Sequence, residues 1–225
     1  MGGQLAYSFD RVPAPAFMQA KFAEGHEVGG LEAAGTVVNF AQDREIYAEG
    51  ATAMAFYKVV SGVVRTCKFL SDGRRQIDAF YRAGDIFGIE GDAEHSLSAE
   101  AVSDCTLISY RRRGVDAAIA GGTGIQLFDH LLRRVAQTQE HALLLGRRSA
   151  LEKVAAFLVD WADQSADRKI VSLAMTRQDI ADYLGLTIET VSRTLSQLER
   201  DRLIDMPVAR QIRLTNLQAL RDLNA

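Results

Sequence analysis

Cysteine is scarce in this 225-residue sequence, which has two of them, Cys67 and Cys105. Two thiols are too few for a structural four-cysteine zinc site or a four-cysteine iron–sulfur cluster held within one chain. Both lie in β-like segments, so we expect them to be buried, reduced and inert. Redox control through either thiol is the alternative.

Long apolar runs and catalytic motifs are also lacking. No run approaches the roughly 20 apolar residues that span a bilayer, and residues 1–10 do not resemble a signal peptide. We therefore expect a cytoplasmic protein without membrane contact. A glycine-rich phosphate loop, a metal-ligand cluster and a nucleophile motif are all missing, so the sequence does not indicate an enzyme.

An overall excess of basic residues is missing as well. The net charge is −3, which does not by itself indicate binding to nucleic acid. The charge is uneven along the chain, however, and a local basic face matters more than the total. Basic residues recur near the C-terminus, at Arg177, Arg193, Arg200, Arg202, Arg210 and Arg213.

Residues 36–110 are predicted to form β-structure, because short runs of Val, Ile, Phe and Tyr alternate with turn signals. Ser61-Gly62 between two apolar runs predicts one hairpin, and Ser71-Asp72-Gly73 predicts a second. Several short strands at this spacing favour a closed roll or a sandwich. We assign residues 31–120 to this β-roll domain and residues 1–30 to an N-terminal segment of undetermined role.

The pattern changes to a helical period after Gly121-Gly122, which predicts one long helix over 121–146. Its apolar side resembles a coiled-coil seam, which favours a homodimer formed through this helix. Packing of the same side onto the chain's own β domain is the alternative. We call these residues the dimer stripe; they are Ile125, Phe128, Leu131, Leu132, Val135 and Ala142.

The C-terminal region, 147–225, contains two short helices separated by a tight turn. Thr176 caps the first helix with Asp179 as its acidic partner, which is a capping-box pattern. Gly185 ends that helix, because glycine readily adopts the positive φ that a sharp turn needs. Thr187 caps the second helix. This arrangement predicts a helix-turn-helix DNA-binding unit, against the alternative of an ordinary helical hairpin with a solvated polar face.

The exposed side of the second helix offers the groups that recognise base edges. A guanidinium pairs with guanine, and a carboxylate accepts from the amino group of cytosine. Recognition helices present their N-terminal turns to the major groove, so we predict that Glu189, Ser192 and Arg193 contact bases; we call these three residues the reading face. Phosphate contacts, which position the protein without specifying sequence, are predicted for Thr176, Arg177, Gln178, Thr187, Thr190 and Thr194.

The sequence resembles the CRP/FNR superfamily of transcription regulators, and its FixK-like branch in particular. The motifs that carry the resemblance are Glu189-Thr190-Val191-Ser192-Arg193 followed by 198–204, and the Gly84-Asp85-Ile86-Phe87-Gly88 turn. The resemblance implies an α+β fold with a cyclic-nucleotide-binding-like β-roll, a dimerisation helix and a winged helix-turn-helix domain. It also implies a two-fold dimer that binds double-stranded DNA and activates transcription by contacting RNA polymerase.

The resemblance further implies a target sequence. In this branch the residues that match the reading face recognise a TTGA half-site, repeated as an inverted palindrome. The CRP branch has a guanine-reading arginine where this chain has Ile188, so TTGA-like sites are favoured over TGTGA-like sites.

The β-roll lacks the features by which relatives bind known effectors. Cyclic-nucleotide binders carry an arginine in the loop after Phe87-Gly88, whereas residues 88–96 here are acidic and would repel a phosphate. No cysteine precedes Cys67, so the N-terminal iron–sulfur ligands are missing, and the four histidines are scattered. We therefore expect no bound cofactor or metal. A β-roll that binds an unidentified small molecule is the alternative.

Overall fold

The computed structural model describes residues 35–112, 124–147, 149–165, 167–208 and 210–223. The predicted N-terminal segment, 1–30, and the Gly121-Gly122 pair lie outside these residues.

Over residues 35–112, eight strands form two facing sheets of four strands each. One sheet has the order β1-β8-β3-β6 and the other β2-β7-β4-β5. Side chains from both sheets share one core, in which Val59, Val64 and Leu107 are fully buried. This is the predicted β-roll. The strands are β1 Thr36–Phe40, β2 Glu45–Tyr47, β3 Ala55–Ser61, β4 Val64–Phe69, β5 Arg75–Tyr81, β6 Ile86–Phe87, β7 Ser98–Ala101 and β8 Cys105–Arg111.

The first of the two predicted hairpins is wrong. Strands β3 and β4 flank Gly62 as expected but belong to different sheets, so the chain crosses from one sheet to the other at this point. Gly62 has a φ of +88° and lies against the backbone of Asp104, where a side chain would not fit. The second hairpin is confirmed, because β4 pairs with β5 in antiparallel register.

In the described residues after the β-roll, the chain forms five helices and three strands. The long helix α1 continues through Gly146, where the sequence indicated its end, to Arg147. Strand β9, which the sequence pattern did not reveal, completes a three-stranded sheet of order β10-β11-β9. The elements are α1 Gly124–Arg147, α2 Ala150–Asp163, β9 Ile170–Ser172, α3 Arg177–Leu184, α4 Ile188–Arg200, β10 Ile204–Val208, β11 Gln211–Leu214 and α5 Leu217–Asp222.

The C-terminal domain packs directly against the outer side of strand β5. Phe80 of that strand contacts three aromatic rings of the C-terminal domain, with centroid distances of 6.5 Å to Phe157, 5.8 Å to Trp161 and 5.3 Å to Tyr183. The guanidinium of Arg82 lies 3.4 Å from the centroid of the Trp161 ring, a stabilising cation–π arrangement. The β-roll therefore holds the C-terminal domain in a defined place.

Helix α1 leaves its apolar side uncovered by the described part of the chain. Phe128 is 60% exposed, Leu132 52% and Val135 54%, and Leu131 and Ala142 are also exposed. The side chain of Ile125 lies outside the description. The opposite side of α1 contacts the protein, since His141 stacks on Tyr183 with a centroid distance of 4.1 Å. No helix in the described ranges is long and apolar enough to cross a membrane.

Candidate nucleic-acid interface

Helix α3 begins with the capping box that the sequence predicts. The Asp179 carboxylate accepts from the backbone N–H of Thr176 at 2.9 Å, and the Thr176 hydroxyl accepts from the backbone N–H of Asp179 at 3.1 Å. Two N–H groups that a helix start leaves unpaired are thereby satisfied. The first helix of the unit consequently has a defined starting point.

The turn between α3 and α4 is set by Gly185 and Thr187. Gly185 adopts the left-handed conformation, with φ 62° and ψ 40°, and caps the end of α3. Thr187 then caps α4, because its hydroxyl accepts from the backbone N–H of Thr190 at 3.2 Å. Gly185 supplies the left-handed conformation that ends α3, and Thr187 supplies the hydrogen bond that starts α4. The two helices therefore form a helix-turn-helix.

The buried sides of the two helices meet in one core. Ile180, Leu184, Val191 and Leu198 are at most 1% exposed. This packing orients α4 so that Glu189 and Arg193 are exposed and Ser192 is half-buried. The structure thus places the three residues of the reading face together on the open side of α4.

The predicted phosphate contacts divide into two groups. Thr194 is 6% exposed and packs inward, so we leave it out of the candidate interface. The helical period already indicates this, because Thr194 lies three residues after Val191 and four before Leu198, on the same face as those buried side chains. The other five residues lie around the start of α3 and α4 and are exposed or half-buried: Thr176, Arg177, Gln178, Thr187 and Thr190.

Electrostatics on the open side of α4 suit base recognition. The pKa of Glu189 is lowered by hydrogen bonds to its carboxylate and by the charge of Arg193. The hydrogen bonds come from the backbone N–H of Glu189 itself and from the Thr187 hydroxyl. Glu189 is therefore an ionised acceptor at neutral pH, while Arg193 is a donor. Arg177 donates to the Ser192 hydroxyl at 3.4 Å, which connects a predicted phosphate contact to the reading face.

Strands β10 and β11 form an antiparallel hairpin beside the helices, in the position of a wing. Its exposed side chains include the ion pair of Arg213 with Asp205, at 3.3 Å. Exposed pairs of this kind contribute little to stability. Both charges are accessible on the outside of the hairpin, because each side chain is about half exposed.

The loop that follows Gly88 in the β-roll is filled by its own side chains. His95 is buried, stacks on Tyr47 with a centroid distance of 3.6 Å and lies 3.3 Å from a carboxylate oxygen of Glu90. Arg112, which the sequence reasoning did not consider, directs its guanidinium to the backbone carbonyls of Glu90, Gly91 and Asp92. The Arg112 guanidinium therefore already has acceptors.

Comparison with known proteins agrees with this architecture. Residues 152–223 match the model of the Crp-like helix-turn-helix domain, and residues 37–121 match that of the cyclic nucleotide-binding domain. The nitrogen fixation regulation protein FixK of Azorhizobium caulinodans is 46% identical over 206 residues, which cover 87% of this chain and 82% of the relative. This chain belongs to the CRP/FNR family. The members of that family are transcription regulators rather than enzymes, and their helix-turn-helix domain binds DNA.

Two further similarities place this CRP/FNR protein near the FixK-like members. The transcriptional activatory protein AadR of Rhodopseudomonas palustris is 42% identical over 74% of this chain and 72% of the relative. The solved structure of FixK2 from Bradyrhizobium japonicum is 42% identical, with a TM-score of 0.81 over 85% of this chain and 98% of that one. The predicted α+β fold and the recognition of the FixK-like branch are confirmed.

One set of charged residues in this CRP/FNR protein is not predicted from the sequence. Arg65 and Arg75 of the β-roll contact Asp179 of helix α3, although these residues are 114 and 104 positions apart in the chain. No local pattern signals such a pairing. The contact joins the β-roll to the DNA-binding unit.

Proposed function

We propose that this protein is a homodimeric transcription activator that recognises a TTGA-type inverted repeat without a bound cofactor. The observation that carries the proposal is the open side of α4, where ionised Glu189 and Arg193 lie one helical turn apart and exposed. A carboxylate that accepts from cytosine and a guanidinium that pairs with guanine suit the two strands of one G·C pair. Ile188 stands where the CRP branch has an arginine that reads an additional guanine, which favours a TTGA-like site.

The dimer is supported by the uncovered dimer stripe on α1. Side chains as large as Phe128 and Leu132 are more than half exposed, and contiguous exposed apolar surface of this kind marks an interaction site. A second copy of α1 offers the matching apolar seam, as in a two-stranded coiled coil. Two recognition helices related by a two-fold axis would then meet the two halves of an inverted repeat.

Independence from a cofactor is supported by the loop after Gly88. Glu90 faces His95 and Ser96 inside the loop, and the Arg112 guanidinium is already bound to three carbonyls. A cyclic phosphate placed there would find the Arg112 guanidinium already bound and would meet the Glu90 carboxylate. Activation through RNA polymerase is proposed from the similarity to FixK and to the activatory protein AadR.

Selection of bound DNA from a random pool by the ligand-free protein tests the proposal. We expect enrichment of TTGA half-sites in inverted orientation. Enrichment of a single half-site would contradict the dimer, enrichment of another sequence would contradict the reading face, and no enrichment unless cyclic AMP is added would contradict cofactor independence.

A ligand-responsive regulator is the second candidate, and a cavity favours it. The cavity has a volume of about 420 Å³ and lies between β5, α1 and α2, where Phe80, Arg134, His141 and Phe157 are among its lining residues. Cavities of this size at domain boundaries commonly bind small molecules. Full DNA binding by ligand-free protein in the same selection would argue against it.

A further inference from the structure

Five charged side chains connect the β-roll to the first helix of the DNA-binding unit. At the centre, one oxygen of Asp179 accepts from Arg65 at 3.1 Å and from Arg75 at 2.5 Å. Arg75 also binds Asp182 at 2.8 Å, and Arg65 binds Glu100 at 2.7 Å. We call these residues the interdomain ion cluster.

The interdomain ion cluster is mostly shielded from water. The side chains of Arg65 and Asp179 are 10% and 3% exposed, and that of Arg75 is 17% exposed. Burial opposes ionisation of Asp179, but hydrogen bonds from Thr176 and the charges of Arg65 and Arg75 outweigh it and lower its pKa. Asp179 is thus a buried carboxylate whose charge is stabilised by Thr176 of its own helix and by Arg65 and Arg75 of the other domain, and removing the two arginines leaves it less well compensated.

Asp179 also has a role within its own helix. Its second oxygen, Oδ2, accepts from the backbone N–H and from the hydroxyl of Thr176, at 2.9 and 2.8 Å. One carboxylate therefore fixes the start of α3 and binds the sheet of the β-roll. A rotation of the helix-turn-helix relative to the sheet would have to break these directional bonds to α3, in addition to disturbing the aromatic rings around Phe80, which pack with preferred geometries of their own.

The interdomain ion cluster lies outside the reading face. Arg65 and Arg75 are on β4 and β5 and contact α3, while Glu189 and Arg193 extend from the open side of α4. The cluster is therefore compatible with DNA binding, although its two arginines do not belong to the candidate interface. Whatever they contribute to DNA recognition has to act through the position of α3.

We propose that Arg65 and Arg75 are positioning residues that set the spacing between the two half-sites. This inference rests on the proposed function, namely a dimer that binds an inverted repeat. In such a dimer α1 holds the two copies together, so the distance between the recognition helices depends on how each DNA-binding unit sits on its own β-roll. That distance has to match one turn of DNA, roughly 34–36 Å. The interdomain ion cluster fixes it.

The test compares the Arg65→Gln/Arg75→Gln double variant with Arg74→Gln. Arg74 is on the same hairpin but is exposed and pairs with Asp72, so it reports a charge loss alone. Affinities are measured for an isolated TTGA half-site, for the selected palindrome, and for palindromes whose centre is one or two base pairs longer or shorter. We expect the double variant to keep half-site affinity, to bind the palindrome about tenfold more weakly and to lose its preference for one spacing.

Other results would overturn the inference. If the double variant keeps the wild-type affinity for the palindrome and the wild-type spacing preference, Arg65 and Arg75 do not position the DNA-binding unit. An equal loss on half-site and palindrome would show a general loss of structure. Arg75→Lys, which keeps a positive charge, should retain most of the spacing preference. If the double variant does not fold, Arg75→Gln alone leaves Arg65 on Asp179 and gives the same comparison.

Failure of the proposed function gives a different result. In that case the wild-type protein does not bind the TTGA palindrome, whereas failure of the positioning role leaves wild-type binding intact and the double variant equal to Arg74→Gln.

Discussion

A Cβ atom on Gly62 would lie 2.3 Å from the carbonyl oxygen of Asp104. The contact forms where the chain passes from one sheet of the β-roll to the other, beside the start of β8. Gly62 also has a φ of +88°, a conformation that other residues rarely adopt. Two independent constraints therefore require glycine at this corner.

Gly62→Ala should destabilise the protein by about 2–5 kcal/mol, because backbone strain and overlap with a backbone atom add together. Gly73→Ala is the matched control, since Gly73 has a φ of +83° but open space around it. It should cost about 1–2 kcal/mol from strain alone. Urea unfolding followed by circular dichroism measures both, and equal losses would contradict the steric argument.

Arg193→Ala should abolish specific DNA binding. The variant loses a bidentate guanine contact of about 1–3 kcal/mol in each half-site. Arg221→Ala removes the same charge from α5, where Arg221 is a half-buried partner of Asp163, and should bind normally. Gel-shift titration with a TTGA palindrome measures the difference, and unchanged affinity of Arg193→Ala would exclude it from base recognition.

Leu132→Glu should convert the proposed dimer into monomers, because it places a charge in the middle of the dimer stripe. Gln137→Glu adds the same charge to an exposed position of α1 away from the stripe and should remain dimeric. Light scattering after gel filtration gives the masses. A monomeric wild type, or a dimeric Leu132→Glu variant, would argue against dimerisation through this helix.

Both cysteines should resist thiol reagents in the folded protein. Burial raises the pKa of Cys67 to about 11 and also raises that of Cys105. Since the thiolate is the reactive form, little of either group reacts at pH 8. Ellman's reagent should label neither thiol in native protein and both in urea. Rapid labelling of native protein would support redox control instead.

Cyclic AMP should leave the thermal stability unchanged. A ligand that binds the folded state at about 100 times its Kd stabilises it by about 2.7 kcal/mol, which is easily detected as a rise in Tm. The TTGA palindrome serves as the positive control and should raise the Tm. A rise with cyclic AMP would mean that the loop after Gly88 opens to bind a phosphate.

The start and end of α3 and the start of α4 agree with the sequence prediction because their signals are local. Thr176 and Thr187 bond to residues three positions ahead, and Gly185 needs no distant partner to adopt its conformation. The β4–β5 hairpin is predictable for the same reason, since a short turn joins strands that pair with each other. The inward packing of Thr194 also follows from a local signal, because this residue lies three positions after Val191 and four before Leu198 on the buried face of α4.

The sequence by itself determined the helix-turn-helix unit, which residues face outward on its second helix, and the apolar stripe of the long helix, since each depends on spacings of three or four residues. Only the tertiary structure decided the sheet crossing at Gly62, the pairing of β9 with β11 and the contact of Asp179 with Arg65 and Arg75. Those features join segments that are far apart in the chain. Their energies come from steric fit, strand pairing and buried charge, which exist only once the fold has brought the segments together.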